Sequence, residues 1–205
     1  MENKAWRTGL SAQFFFTNAW EQRKLGDIAP LRAGYAFSSE QYSESGIPIV
    51  RISNILSNGN VGGDFAYYQE QNEDSLYSLE KGDILLAMSG ATTGKVAVIR
   101  DKKACKYYQN QRVGLFLRNK NVDYSFVVTI VNSEKFISQL RNVLVAAAQP
   151  NVSSKDINSF EFQIPKTKSE QEQIGRFISN LDHLITLHQR KCPIFKKGNA
   201  VKIVF

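Results

Sequence analysis

Residues 87–99, AMSGATTGKVAVI, gather two glycines, three hydroxyls and a lysine in a short stretch, the ingredients of a phosphate-holding loop. A nucleotide-binding loop needs G-x-x-x-x-G-K-[ST], with a hydroxyl after the lysine for magnesium and a helix N-terminus aimed at the phosphates. Here three residues separate Gly90 from Gly94, Val96 follows Lys95, and VAVIRDKK has strand character. The stretch therefore reads as a hairpin joining DILLAM to KVAVI. Its tip offers Ser89, Thr92, Thr93 and Lys95, a set suited to phosphate oxygens of a larger anion, with an ordinary polar turn as the plain alternative.

Other loops share this chemistry. RAGYAFSSEQY (32–42) carries Arg32, Tyr35 and Ser38; RISNI (51–55) carries Arg51 and Asn54; KYYQNQR (106–112) carries Asn110, Gln111 and Arg112. Arginine, asparagine and glutamine are the side chains that pair bidentately with guanine and adenine edges. Lysine plus arginine exceed aspartate plus glutamate by 26 to 19, a net charge of +7, which favours an anionic partner. Each residue alone is equally a solvated surface group; three such clusters on a basic chain point to nucleic acid.

Catalytic and metal chemistry is missing from this pattern. His183 and His188 are the two histidines, and five residues of helix set them about 140° apart, unsuited to one metal ion. No G-x-S-x-G elbow occurs. Cys105 and Cys192 lack metal-ligand spacing and read as reduced thiols. No apolar run reaches the roughly 18 residues of a membrane span, and MENKAWRTGL lacks a secretory pattern. The expectation is a cytoplasmic binding module with no membrane partner, no catalytic residue, no metal and no cofactor of its own.

The elements that position these loops follow from periodicity. Hydrophobic residues at 42% and charged residues at 22% are ordinary globular values. Residues 47–55, 83–88, 95–99 and 113–118 read as strands, with turn chemistry between them. Residues 123–144 have helical spacing, with Asn132 and Ser133 as a break. Ser153 and Asp156 form a capping-box pattern ahead of a strand at 160–164, and Ser169 and Glu172 form another at the start of the last helix. In that helix Ile174, Ile178, Leu181, Ile185 and His188 recur at heptad spacing, a narrow seam that fits either a partner helix or the chain's own body. Pro193 ends it. The fold class is α+β: an irregular leader (1–19), a β-rich body with helices (20–165), a long coiled-coil-type helix (166–192) and an irregular tail (193–205).

Taken in order, WEQRKLGDIA, GIPIVRISNI, GDILLAMSGATTGKVAVI, NQRVGLF, QPNVSSKDINSFEFQIP and EQEQIGRFISNLDHLITLHQRK resemble the DNA-specificity subunit of type I restriction-modification systems. The match runs from about residue 20 to 191 and looks like one half of that subunit. The resemblance implies a target-recognition domain that reads one half of a split duplex DNA sequence, followed by a spacer helix. It further implies docking to methyltransferase subunits that hold S-adenosylmethionine, and to a nuclease subunit that uses ATP and magnesium. The specificity subunit itself catalyses nothing. One unit instead of two calls for a second copy or another half-subunit, and the tail CPIFKKGNAVKIVF departs from continued heptads. A stand-alone DNA-binding regulator and a small phosphate-handling enzyme built on residues 90–95 are the rival readings.

Overall fold

The computed structural model describes residues 20–70, 74–100, 106–146 and 150–191; the leader, Cys105, Cys192 and the tail lie outside the described residues. In chain order the elements are β1 (Trp20–Lys24), α1 (Leu25–Ile28), β2 (Leu31–Ala33), β3 (Ile47–Val50), β4 (Ala66–Tyr68), β5 (Ser78–Leu79), β6 (Ile84–Ala87), β7 (Val96–Val98), β8 (Tyr107–Gln109), β9 (Val113–Phe116), α2 (Tyr124–Val131), α3 (Glu134–Ala146), α4 (Ser154–Asn158), β10 (Glu161–Pro165) and α5 (Lys168–Lys191). This is the α+β body and long final helix that the sequence implies.

One four-stranded antiparallel sheet runs β2-β9-β6-β7, and a second runs β4-β3-β8-β5 with β3 and β8 parallel. Every residue of β6 is buried because both faces of the first sheet are covered. Ile84 and Leu86 join Leu31, Phe116, Phe126 and Phe136 beneath the helices. Leu85 and Ala87 join Val113, Leu115, Val50 and Leu79 between the sheets. A continuous apolar run is what a strand buried on both sides demands. On the far face of the second sheet Phe37, Ile49, Tyr68 and Tyr108 form a third, aromatic cluster.

Helices α2, α3 and α4 begin where the polar residues predict. Asp123 accepts the Phe126 amide at 3.1 Å, and Ser133 accepts the Phe136 amide at 3.2 Å, so α2 and α3 separate at the expected break. Ser153 and Asp156 make the reciprocal box over α4, and the Ser153 hydrogen bonds hold the Asp156 carboxyl below its usual range. Tyr124 donates to the Phe116 carbonyl and accepts from the Ile84 amide; burial pushes its hydroxyl up to about 12.

Three expectations need correction. The strand at 47–55 stops at Val50, because Asn54 Oδ1 takes the Arg51 amide and turns residues 52–54 into a short 3-10 helix. Residues 107–109 are a buried strand, so Tyr107 and Tyr108 serve the core and are not displayed. The last helix starts two residues earlier than Ser169 implies: Thr167 Oγ1 accepts the Glu170 amide at 3.3 Å, while Glu172 pairs with Arg176 at 2.5 Å.

β1 pairs with β10, setting Trp20 opposite Pro165 at the root of α5, where Trp20 Nε1 donates to Glu170 at 3.1 Å. Gln171, 2% exposed, accepts the Asp123 amide and donates to the Pro165 carbonyl, both at 2.9 Å. One turn later a Cβ on Gly175 would lie 2.4 Å from Ser125 Oγ, so the absent side chain lets α5 cross the start of α2 closely. In the seam, Ile174, Ile178, Leu181 and Ile185 are half-buried and His188 is exposed, with Ile174 on the main core. Phe177 and Leu184 stay about 60% exposed on an adjacent stripe (61% and 60%). The helix thus packs on its own body at its root and carries uncovered apolar surface further along, a mixture of the two expected modes.

Candidate nucleic-acid interface

Loops far apart in sequence meet at one end of the two sheets. The Tyr35 amide donates to the Gln109 carbonyl at 3.0 Å and the Asn110 amide to the Val50 carbonyl at 3.1 Å. The Met88 amide donates to the Arg112 carbonyl at 3.0 Å, and Thr92 Oγ1 reaches the Ile52 carbonyl at 3.3 Å. Segments 32–38, 51–54, 89–95 and 109–112 therefore share one surface. Residue 150 joins them: the Thr93 hydroxyl lies 2.5 Å from the Pro150 carbonyl and 2.6 Å from that of Gly90.

Within that surface half of the expected residues are consumed by the fold. Asn54 is 1% exposed; its Oδ1 takes the Arg51 amide, and its Nδ2 donates to the Gly62 and Asp64 carbonyls, each bond at 3.0 Å. Nothing of that amide is left for a base, so Asn54 leaves the candidate set. Ser89 is buried, and the Thr92 and Thr93 hydroxyls tie the loop to its neighbours. Arg32 is half-buried, its Nη2 held 3.1 Å from Gln109 Oε1; Arg51 is half-buried, its Nη2 3.1 Å from the Asp64 carbonyl. The Nε atoms of both arginines are buried without a partner, and neither guanidinium pairs with a carboxylate among the described residues.

The remaining residues stand free. Gln111 and Arg112 are exposed, and neither side chain makes a hydrogen bond among the described residues. Asn110 uses its Oδ1 weakly, at 3.4 Å from the Arg112 amide, which leaves its NH₂ available. Ser38 is exposed and makes no capping bond, and Tyr35 is 46% exposed. Lys95 is half-exposed and has no ion pair among the described residues. These groups offer donors, acceptors and positive charge on a turn whose backbone is fixed.

The glycines of residues 90–95 serve the fold. Gly94 has φ +87°, and a Cβ there would sit 2.4 Å from Leu140 Cδ2 of α3. The loop joins antiparallel strands β6 and β7, so no helix N-terminus opens behind Lys95.

Two residues that the sequence reading passed over organise the surface. Gln109, fully buried, accepts from Arg32 and donates to the Arg32 and Val113 carbonyls at 2.8 Å each. Its signal was its place in a strand behind two tyrosines, where period two points it inward. Tyr77 packs on Tyr35 with ring centroids 4.9 Å apart; nothing local in the sequence links the two.

Comparison with known proteins finds the type I restriction modification DNA specificity domain matching residues 18–193. The chain is 24% identical over 188 residues to the MjaVIII type I restriction enzyme specificity subunit of Methanocaldococcus jannaschii, covering 87% of this chain and 43% of that protein. It is 28% identical over 195 residues to the EcoAI specificity subunit of Escherichia coli, covering 93% and 32%. Among solved structures, a chain of a type I R-M system complex superposes with TM-score 0.64 at 14% identity, covering 84% of this chain and 40% of that one. The HsdS subunit from Thermoanaerobacter tengcongensis gives 0.62 at 13%, covering 85% and 40%. The M. genitalium S subunit gives 0.58 at 16%, covering 84% and 41%. This chain thus spans less than half the length of each.

Proposed function

The chain belongs to the type I restriction-modification DNA specificity family, and on that premise we propose that it reads one half of a split duplex DNA sequence. The observation that carries this reading is the convergence of four separate loops on one surface. There Lys95, Asn110, Gln111 and Arg112 keep free polar groups, while the side-chain amides of Asn54 and Gln109 are spent on the fold. Bidentate side chains at the turn supply base readout, and Lys95 with the wider positive charge supplies phosphate attraction.

In this reading the chain works without catalytic groups of its own. S-adenosylmethionine belongs to a partner methyltransferase subunit, and ATP with magnesium to a partner nuclease subunit, in the cytoplasm. The apolar stripe of Phe177, Leu181 and Leu184 on α5 faces a second copy or another half-subunit, whose helix supplies the spacer. A homodimer reads a symmetric split site.

The test is selection from a randomised duplex pool by the full chain with its methyltransferase subunit. A short motif enriched only when this chain is present supports the reading. Enrichment that is identical without the chain overturns it.

A further inference from the structure

Hydrogen-bonding groups explain Gln111 and Arg112, but not why an aromatic ring stands uncovered beside them. Tyr35 is 46% exposed, whereas its neighbours Phe37, Tyr68 and Tyr108 are buried. Its ring is nevertheless fixed: it meets Phe37 edge-on at 5.1 Å and 79°, and packs on Tyr77 at 4.9 Å. Its backbone is fixed as well, pairing with Asn110, the residue next to Gln111. The preceding Gly34 allows this, since a Cβ there would lie 2.3 Å from the Asn110 carbonyl oxygen. The Tyr35 hydroxyl has no hydrogen-bond partner among the described residues. Leu76, next to Tyr77, is 66% exposed, so this rim also presents aliphatic surface.

A rigid, exposed, apolar contact one bridge away from a base-reading turn has one natural counterpart in the major groove. The thymine C5-methyl is the apolar group that base edges display there. We propose that Tyr35 is a specificity-determining residue that contacts a thymine methyl adjacent to the base read from the 110–112 turn, with Tyr77 as the residue that positions its ring. The proposal rests on the DNA-reading function above and adds a base identity to it.

The test replaces each thymine of the selected motif by deoxyuridine, which removes the methyl and keeps the Watson–Crick edge. Binding of the full chain with its methyltransferase subunit is then measured. Burying one methyl corresponds to about a fourfold affinity difference. The wild-type chain is expected to bind one deoxyuridine duplex about fourfold more weakly than its thymine counterpart. Tyr35→Ala should bring that ratio to one, Tyr77→Ala should reduce it, and Tyr35→Phe should keep it. A motif without thymine, a flat wild-type scan, or an unchanged ratio in Tyr35→Ala overturns the proposal and leaves the DNA-reading function standing. So does a Tyr35→Phe chain weakened equally on all duplexes, which would assign the hydroxyl to phosphate. The wild-type scan needs no variant to fold, and a chain that enriches no motif at all overturns both readings.

Discussion

Gln109 and Gln111 are two residues apart and have opposite fates. The amide of Gln109 is buried and makes three hydrogen bonds that join β2, β8 and β9. The amide of Gln111 projects from the turn with none among the described residues. Arg51 and Arg112 repeat the contrast, one half-buried against the Asp64 carbonyl and one exposed. A floor of polar side chains bonded to neighbouring carbonyls and amides fixes the backbone, and a rim without such bonds is left for a ligand. The rim can change composition at little cost to the core, which suits the DNA-reading role proposed above.

The strongest way to break this division is at the floor. Gln109→Leu strips the donors from the part-buried Arg32 carbonyl and the buried Val113 carbonyl and the acceptor from the Arg32 guanidinium, and should cost about 2–4 kcal/mol of stability, read by urea unfolding. A loss as small as that of an exposed residue would show that the floor does not hold the surface. At the rim, Arg112→Ala should leave stability within about 0.5 kcal/mol. It should cost about 1–3 kcal/mol in discrimination at one base position, read by competition among single-substitution duplexes. Equal weakening on every duplex would instead place Arg112 on phosphate.

Tyr124, which ties the Ile84 amide and the Phe116 carbonyl at the ends of β6 and β9 away from the rim, probes the body by pH. Its hydroxyl titrates near 12 in the folded chain against an ordinary value near 10, so the protonated form stabilises the fold below pH 10. That contribution should fade as pH rises from 10 towards 12, and Tyr124→Phe should lose this part of the alkaline dependence, as thermal melts across the range would show. Lys95→Ala carries the smallest expected effect: binding weaker on all sequences alike, with a salt slope shallower by about one unit. An unchanged slope removes Lys95 from the phosphate-contacting set.

Much of the architecture is legible in the residues. The apolar run at 83–88, the Asn132–Ser133 break and the Ser153–Asp156 box stand where local chemistry puts them, and the long final helix starts two residues from its expected place. The segments that converge on the candidate surface were legible as polar loops, but which of their side chains stay exposed was not. Residue type alone cannot separate Asn54 from Asn110, because the difference lies in carbonyls eight and ten residues away that fold back onto Asn54. The Tyr35–Tyr77 packing and the Gln171 bridge from Pro165 to Asp123 likewise join distant segments, so no local period announces them.

The division between floor and rim is tested most directly by mapping DNA methylation in cells that carry the wild-type chain, Arg112→Ala, or no copy. The account predicts a split motif that needs the chain and becomes degenerate at one position in the Arg112→Ala strain, with the rest of the motif intact. A motif that persists without the chain, or is unaltered by Arg112→Ala, contradicts it.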